Sequence, residues 1–577
     1  MSRSPRVDLR RAAVVALAVT AAVIASARIA GVRLAPLLDP ANHAAIRGFV
    51  RGLAPPDVSP AFLRVALAAS LRTVAIALAG TALSLIVALP LAVLGTATLF
   101  RRGPLVEAEP DTPSRLAVSA ASAAARMVLG VLRAVPDLVW ALCFVVGFGL
   151  GPAPGVLALA VSYGGILGRV LADLFETVDP RPLEALRTTG ASRVQIFVFG
   201  IWPQALPSAI AYMLYSFECC VRAAAVLGLV GAGGIGYEIL LSMRLFEYGQ
   251  VATLLAALLA LVWLTDAAST ALRRLLRANV PAGLLGHQRL RAGLPRPPRG
   301  TAAVVVAALV IASAAAVGLF DRGMLDAGAL RGMAGLARAM VPPELAPGYL
   351  ATLIEPVLQT LATSVIGTLI GVALGGLLGV PAAAPYPEDD RAWGAAHLAR
   401  RAVRRACRTV LAVLRAVPDL MWVLVFLLAV GLGPFAGALA LGVHTGGVLG
   451  KLYADTLEEV SPLPLRGLRA VGATPLQLLV WGAWPEARRM LASYTLLRWE
   501  MNLRSSTVLG IAGGGGIGIA LYNDLQLAAG SPLAFYPRVA TLVLIVYLLV
   551  AATGWIGDAI LRRLESASLA ARRSPAR

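Results

Sequence analysis

Residues 182–192, Pro182-Leu183-Glu184-Ala185-Leu186-Arg187-Thr188-Thr189-Gly190-Ala191-Ser192, run on to Ile201-Trp202-Pro203 as a polar, arginine-bearing island between two long apolar runs. The island reads as two short helices with a hinge. Asp179 and Pro180 open the first, and Gly190 suits the left-handed residue that closes it. Ser192 and Gln195 have capping-box spacing, so a second helix starts there. Pro203 marks the return to apolar sequence. The same device recurs as Pro464-Leu465-Arg466-Gly467-Leu468-Arg469-Ala470-Val471-Gly472-Ala473-Thr474, ending at Trp484-Pro485. There Thr474, Pro475 and Gln477 supply a cap, a first-turn proline and the box partner.

The composition around these islands is that of a membrane protein. Of 577 residues, 58% are hydrophobic and only 14% charged, with a mean hydropathy of +0.78. A soluble globular chain is about a quarter charged. Apolar runs near the length needed to cross a bilayer recur throughout, which predicts an all-α polytopic fold. The net charge of +20 could point to nucleic acid, but the arginines flank apolar runs as the positive-inside rule expects, so nucleic acid is excluded as a partner.

Six runs make up the first half: Ala12–Ala30, Leu63–Leu99, Val135–Leu150, Gly155–Leu174, Ala205–Val230 and Val251–Leu272. Ala12–Ala30 could be a signal peptide cleaved after Ala25-Ser26-Ala27. A matching run at Thr301–Phe320 favours a retained first helix. The segment Arg101–Arg133 is basic and helical in pattern, and reads as lying inside. An even number of spans returns the chain to its starting side. The linker 273–300 carries seven arginines, Arg273 to Arg299, and no acid. The loop Asp321–Tyr349 balances three arginines with three acids. Both termini, the linker and both islands are therefore expected in the cytoplasm.

The second half repeats the first. An offset of 282 residues carries Arg133-Ala134-Val135-Pro136-Asp137-Leu138 to Arg415-Ala416-Val417-Pro418-Asp419-Leu420, Glu218 to Glu500, Arg222 to Arg504 and Gly236 to Gly518. This is an internal duplication. It divides the chain into a first repeat 1–272, a linker 273–300 and a second repeat 301–577, about 12 spans in all. With six spans each, the repeats are parallel.

Gly231, Gly233, Gly234 and Gly236 match the GxGxxG dinucleotide pattern, as do Gly513, Gly515, Gly516 and Gly518. That reading needs a strand before the glycines, and here a membrane helix precedes them. Glycine-rich loops over Gly231–Gln250 and its counterpart, acting as gates or tight turns, fit better. Glu218 with Arg222, and Glu500 with Arg504, share one helix face four residues apart. Each pair is either a structural salt bridge or part of a pathway in which arginine meets an anionic substrate. Arg498 and Asn502 have no chemical counterpart at Ser216 and Cys220, so the pathway is expected to be asymmetric. Asp137 and Asp419 follow prolines at helix starts and read as structural.

Cys143, Cys219, Cys220 and Cys407, and the scattered His43, His287, His397 and His444, lack metal spacing. No metal site is expected. The only lysine, Lys451, lacks the glycine and the hydroxyl residue that a phosphate-binding loop requires around it. The chain is expected to hold no nucleotide and to draw energy from a partner or a gradient.

The islands resemble the "EAA" loop of the membrane subunits of bacterial ABC importers. There a Glu-Ala pair precedes a glycine, and a proline follows thirteen residues later. Glu184, Ala185, Gly190 and Pro203 fit that pattern. In the second copy Gly472 and Pro485 fit, but Arg466 and Gly467 replace the Glu-Ala pair. Within that group, Tyr212–Gly236 and the Arg-Ala-Val-Pro-Asp-Leu run look most like phosphonate-transport permeases, and the chain looks like two such units fused in tandem. Methionine and osmoprotectant permeases share a similar glycine stretch.

The resemblance implies a type I ABC importer transmembrane fold in the bacterial inner membrane, and a transport permease rather than an enzyme. It implies two separate ATPase subunits, which use ATP and Mg and grip coupling loops at 175–203 and 457–485. It also implies a periplasmic or lipid-anchored protein that delivers a phosphonate or related phosphorus oxyanion. A gradient-driven transporter is the competing class: Glu218 and Glu500 suit it, and the repeated island does not.

Overall fold

The computed structural model describes residues 9–33, 35–97, 113–278, 301–320, 338–383, 395–530 and 532–573, with 331, 334 and 335. The linker beyond Ala278 and about half of the loop Asp321–Tyr349 lie outside these. The described residues are helical and contain no strand. Eight helices are long and apolar enough to cross a membrane, and two bent helix pairs bring the total to ten. Two shorter apolar helices, Leu17–Ile29 and Val304–Ala316, complete the set.

The chain forms two compact units that do not coincide with the sequence repeats. One comprises residues 52–339; the other comprises 1–51 with 340–577. In the second unit α1 (Leu9–Ile29) packs on the helix Pro347–Ala382. Ala30 is buried there in an apolar cluster with Ala362, Ile366 and Ala438. In the first unit the helix Thr301–Ala316 packs on α2 (Pro60–Gly95). Each repeat therefore gives its first helix to the other repeat's bundle. The division expected at 272–301 describes the duplication, not the packing.

Within the first unit, α2 is followed by α3 (Pro113–Ala134), α4 (Asp137–Phe148) and α5 (Pro152–Glu176). The third crossing differs from expectation. α4 has 12 residues, about 18 Å of helix, too short for a bilayer core of about 30 Å. α3 is itself long and apolar enough to cross, so the crossing belongs to α3, and α4 follows as a separate short helix after the Val135-Pro136 break. Pro136 lacks an amide hydrogen, and Asp137 turns its carboxylate back on the Leu138 N–H at 3.0 Å.

α2 and α5 form the bundle's most extensive helix pair, and small residues allow it. A Cβ on Gly80 would come within 2.8 Å of Leu159 of α5, and one on Gly168 within 3.2 Å of Ala88 O of α2. Between apolar lipid and apolar helix the gain is in close packing rather than expulsion of water. α6 (Pro180–Thr188) follows, then a continuous helical path through Arg193–Gln195 and a π-helical turn, Ile196–Ile201, into α7 (Trp202–Leu227). α8 (Ile235–Arg244) and α9 (Tyr248–Ala278) complete the half, with α10 (Thr301–Ala316) opening the next.

The second repeat runs α11 (Pro347–Ala382), α12 (Ala395–Ala416), α13 (Asp419–Val430), α14 (Pro434–Glu458), α15 (Pro462–Ala470), α16 (Trp484–Leu509), α17 (Ile517–Gly530) and α18 (Pro532–Arg573). Its bundle has a polar tie at the position where the first repeat carries Cys220. Asn502, buried in α16, accepts from the Thr445 hydroxyl at 2.8 Å and donates to Thr368 at 2.9 Å. Three helices are pinned through one satisfied amide. Asn502 thus packs the second bundle in a way that Cys220 does not reproduce in the first.

Candidate functional site

α6 is amphipathic, and one side of it is buried. Asp179 caps it, accepting from the Arg181 N–H at 3.1 Å, and Gly190 closes it at φ +81°. Leu183 is buried in a cluster with Phe175, Ile196 and Ile201. The fit depends on Gly200: a Cβ there would meet Leu183 at 2.6 Å and Leu186 at 3.1 Å. Glu184, Ala185 and Gly190 face outward and are exposed. In the second repeat Leu465 and Leu468 sit against Gly482 in the same way, and Arg466 and Gly472 are exposed. Both islands thus present a short helix whose apolar edge is anchored and whose opposite edge is free.

The capping boxes form as expected. Ser192 N–H donates to Gln195 Oε1 at 2.8 Å, and Thr474 N–H to Gln477 Oε1 at 2.8 Å. The expectation of a short second helix is corrected, because the helix that each box opens continues through the π-helical turn into α7 or α16. Pro203 and Pro485 lie in the first turn after each wide turn. Trp202 N–H bonds back five residues to Phe197 O, and Trp484 N–H to Leu479 O. The wider turn shifts the register where proline would leave a carbonyl unpaired.

The glycine stretches lie at the opposite end of each bundle, about 37 Å away along the 25 residues of α5. Half of the expected loop Gly231–Gln250 is helix α8, which lies between a turn over the glycines and a second turn at Leu245–Glu247. The glycine turn is held. Gly231, Gly233 and Gly234 have positive φ. Gly231 O accepts from Gly151 N–H at 3.1 Å, and Ile235 N–H donates to the buried Thr73 hydroxyl at 2.9 Å. In the second repeat Gly513, Gly515 and Gly516 have positive φ, and Ile517 N–H meets Thr360 Oγ1 at 2.9 Å. A Cβ on Gly236 would lie 1.8 Å from Ala225 O, and one on Gly518 2.0 Å from Thr507 O. Thr73 and Thr360 escaped sequence reasoning because each acts on a backbone more than 150 residues away. Thr73→Val is expected to remove the partner of the first amide of α8 and cost about 1 kcal/mol, read as a lowered thermal midpoint in detergent.

Glu218 is buried on α7, and Arg222, one turn on, donates to Cys219 Sγ at 3.4 Å. Glu500 and Arg504 approach to 3.9 Å, both side chains less than a fifth exposed. Both pairs sit on the helix that leads from the island to the glycine turn.

A further element links α2, α3 and α5. Arg126 on α3 donates through Nε to Gly95 O, at the C-terminus of α2, at 2.5 Å, and forms an ion pair with Glu176, the last residue of α5. Glu176 also accepts from Ala97 N–H at 2.6 Å. The second repeat has the same clamp: Arg408 Nε meets Ala382 O at 3.0 Å and pairs with Glu458. A guanidinium at the negative end of one helix offsets a carboxylate placed at the negative end of another. The signal in the sequence was the recurrence of both residues at the repeat offset. The clamp stands directly before each island, since α6 starts at Pro180 and α15 at Pro462.

At the glycine-turn end the repeats diverge. Arg538 pairs with Glu344 at 2.8 Å beside a Tyr349–Asp524 hydrogen bond of 2.7 Å. In the first repeat Ser242 donates to Gln250 at 3.1 Å. The second bundle is tied there by an ion pair, the first by hydrogen bonds that join Ser242, Gln250 and Asp57.

Residues 115–280 and 392–566 each match the family described as binding-protein-dependent transport system inner membrane component. The chain is 32% identical over 494 residues, 84% of both chains, to phosphate-import permease protein PhnE of Mycolicibacterium smegmatis. It is 37% identical over 202 residues, 35% of this chain and 68% of the other, to phosphite transport system permease protein PtxC of Stutzerimonas stutzeri. A solved MetNI methionine ABC transporter, inward facing, covers 38% of this chain and 99% of its own at 20% identity, with a TM-score of 0.33.

Proposed function

Because the chain belongs to the binding-protein-dependent transport system inner membrane components, and carries two matching units, we propose that it is the complete membrane pathway of an ATP-driven importer for a phosphorus oxyanion. Phosphate, phosphite or a phosphonate are the substrates in view. The observation that carries this reading is the duplicated island. Two leucine-anchored helices, each with its outer edge exposed, are fit to be gripped by two ATPase subunits made as separate chains. Those subunits bind the ATP and Mg; this chain binds neither. A binding protein delivers the substrate at the end that bears the glycine turns. The islands, the linker and both termini face the cytoplasm.

The relatives support the substrate class, as do Arg222 and Arg504, whose planar forks suit tetrahedral oxyanions. The two docking contacts differ in charge. α6 presents Arg181, Glu184 and Arg187, whereas α15 presents Arg466 and Arg469 with no acid. The two ATPase sites therefore meet unlike surfaces.

The test is uptake of labelled phosphate, phosphite and a phosphonate by vesicles holding the chain, its ATPase and its binding protein. ATP-dependent accumulation of at least one of them is expected. Uptake that persists without the ATPase would overturn the reading. Replacing Gly190 and Gly472 together by leucine, which strains a positive φ, is expected to leave ATP hydrolysis and cut uptake by about tenfold or more. Cysteines placed at Glu184 and Arg466 should react from the cytoplasmic side; labelling from outside would count against the orientation.

A further inference from the structure

α12 has a charge pattern that its counterpart lacks. Arg400, Arg401, Arg404 and Arg405 stand where α3 carries Val118, Ser119, Ser122 and Ala123. At the helical repeat of 3.6 residues, these four share one arc with Arg408 and Arg415. The other arc holds Leu398, Val403, Val410 and Val413, and these are 68%, 52%, 44% and 44% exposed. Arg400 and Arg405, both exposed, fall on the two borders of that apolar arc. A row of exposed branched side chains edged by arginines is costly in water and is at home at a bilayer interface, with the apolar arc among acyl chains and the guanidinium groups at headgroup depth.

The position agrees. Arg408, on the same helix, pairs with Glu458 and meets the carbonyl of Ala382. Residues before it therefore extend beyond the last turns of α11 and α14, at the end of the bundle that carries the island. α12 also meets α13 at 90°, so it does not simply continue the line of that helix.

We propose that the N-terminal half of α12 is a binding site for anionic phospholipid headgroups, held by Arg400 and Arg405 with the apolar arc inserted beside them, and that α3, its counterpart, offers no such pair of arginines. Charge complementarity selects the occupant. Clustered arginines bordering an apolar stripe are satisfied by a negatively charged lipid surface, which supplies phosphate and hydrocarbon together. Because Arg408 joins this helix to the clamp before the second island, the lipid acts on one half of the transporter alone. The inference needs the chain only to sit in a bilayer; it does not depend on the substrate or on the ATPase.

The test places the full chain in nanodiscs of phosphatidylcholine with a minor fraction of phosphatidylglycerol. Enrichment of spin-labelled phosphatidylglycerol over labelled phosphatidylcholine at the protein is then measured. Enrichment by the wild type is expected, weakening as salt rises. It should fall roughly fivefold per arginine removed in Arg400→Gln and Arg405→Gln, with an unchanged thermal midpoint reporting an intact fold. Arg187→Gln, on the first island, serves as the control and should leave enrichment as it was. Equal enrichment by wild type and the double variant would overturn the proposal. So would a double variant that keeps its lipid preference and loses binding of the ATPase subunit, which would assign the arginines to an acidic protein surface.

Discussion

Gly236→Ala and Gly518→Ala are each expected to unfold the turn at the far end of their bundle and to abolish uptake. The added carbon would lie 1.8 Å from Ala225 O in one repeat and 2.0 Å from Thr507 O in the other. Neither obstacle can swing aside, because both are backbone carbonyls in the last turns of α7 and α16. Relief requires α8 or α17 to move off its bed, which breaks the hydrogen bonds from Ile235 to Thr73 and from Ile517 to Thr360. Overpacking of this kind costs about 3 kcal/mol or more. The measurement is a thermal melt in detergent beside an uptake assay. Gly130→Ala is the comparison: it lies in α3 with nothing within 4 Å of the new carbon, and should gain up to about 1 kcal/mol from helix propensity. Equal behaviour of the two substitutions would refute the account of the glycine turn as a backbone-to-backbone contact.

The second large effect is expected at the clamps. Arg126→Gln leaves Glu176 without its ion-pair partner at the C-terminus of α5 and weakens the grip on Gly95 O, so the segment leading into α6 is held to the end of α2 only through the Ala97 N–H. The ion pair is partly exposed, at 18% and 25%, so the loss of global stability should be small. The effect falls on transmission. Uptake should drop about tenfold, within the usual span of coupling energies between sites, while the complex continues to hydrolyse ATP. Arg408→Gln should do the same in the second repeat. Combining Arg126→Glu with Glu176→Arg should recover part of the loss, since the charge pair is restored and the bond to Gly95 O is not. A proportional fall in hydrolysis and uptake, with no recovery in the reversed pair, would make the clamp merely structural.

Much of the island was legible from residues. Asp179, Gly190, Ser192 with Gln195 and Thr474 with Gln477 act on amides within three or so positions, so their chemistry is written in adjacent letters. Leu183 and Leu465 lie inside the islands, but the partner of each is a glycine fifteen or more residues on, within a π-helical turn that no spacing rule announces. Pro203 reads as a boundary between the island and the next apolar run. In the structure the helix widens by one residue and passes through it, because the apolar contacts of Ile196 and Ile201 keep the segment helical on both sides. The run Val135–Leu150 had the composition of a span and not its length once Pro136 broke the helix. The residues Ile235–Arg244 read as loop because the glycines before them dominate the pattern.

The sequence by itself determined the membrane class, the duplication, the two islands and their caps, and the left-handed glycine that closes each island. These rest on hydropathy over about twenty residues, on self-similarity and on hydrogen bonds between near neighbours. Tertiary structure alone decided that each repeat lends its first helix to the other bundle, that Thr73 and Thr360 hold the glycine turns, and that Arg126 and Arg408 clamp the helices leading to the islands. The clamp and turn pairings of the first repeat join residues from 31 to 162 positions apart. They form only when close-packed helices bring their ends to the same depth, a condition with no period to read along the chain.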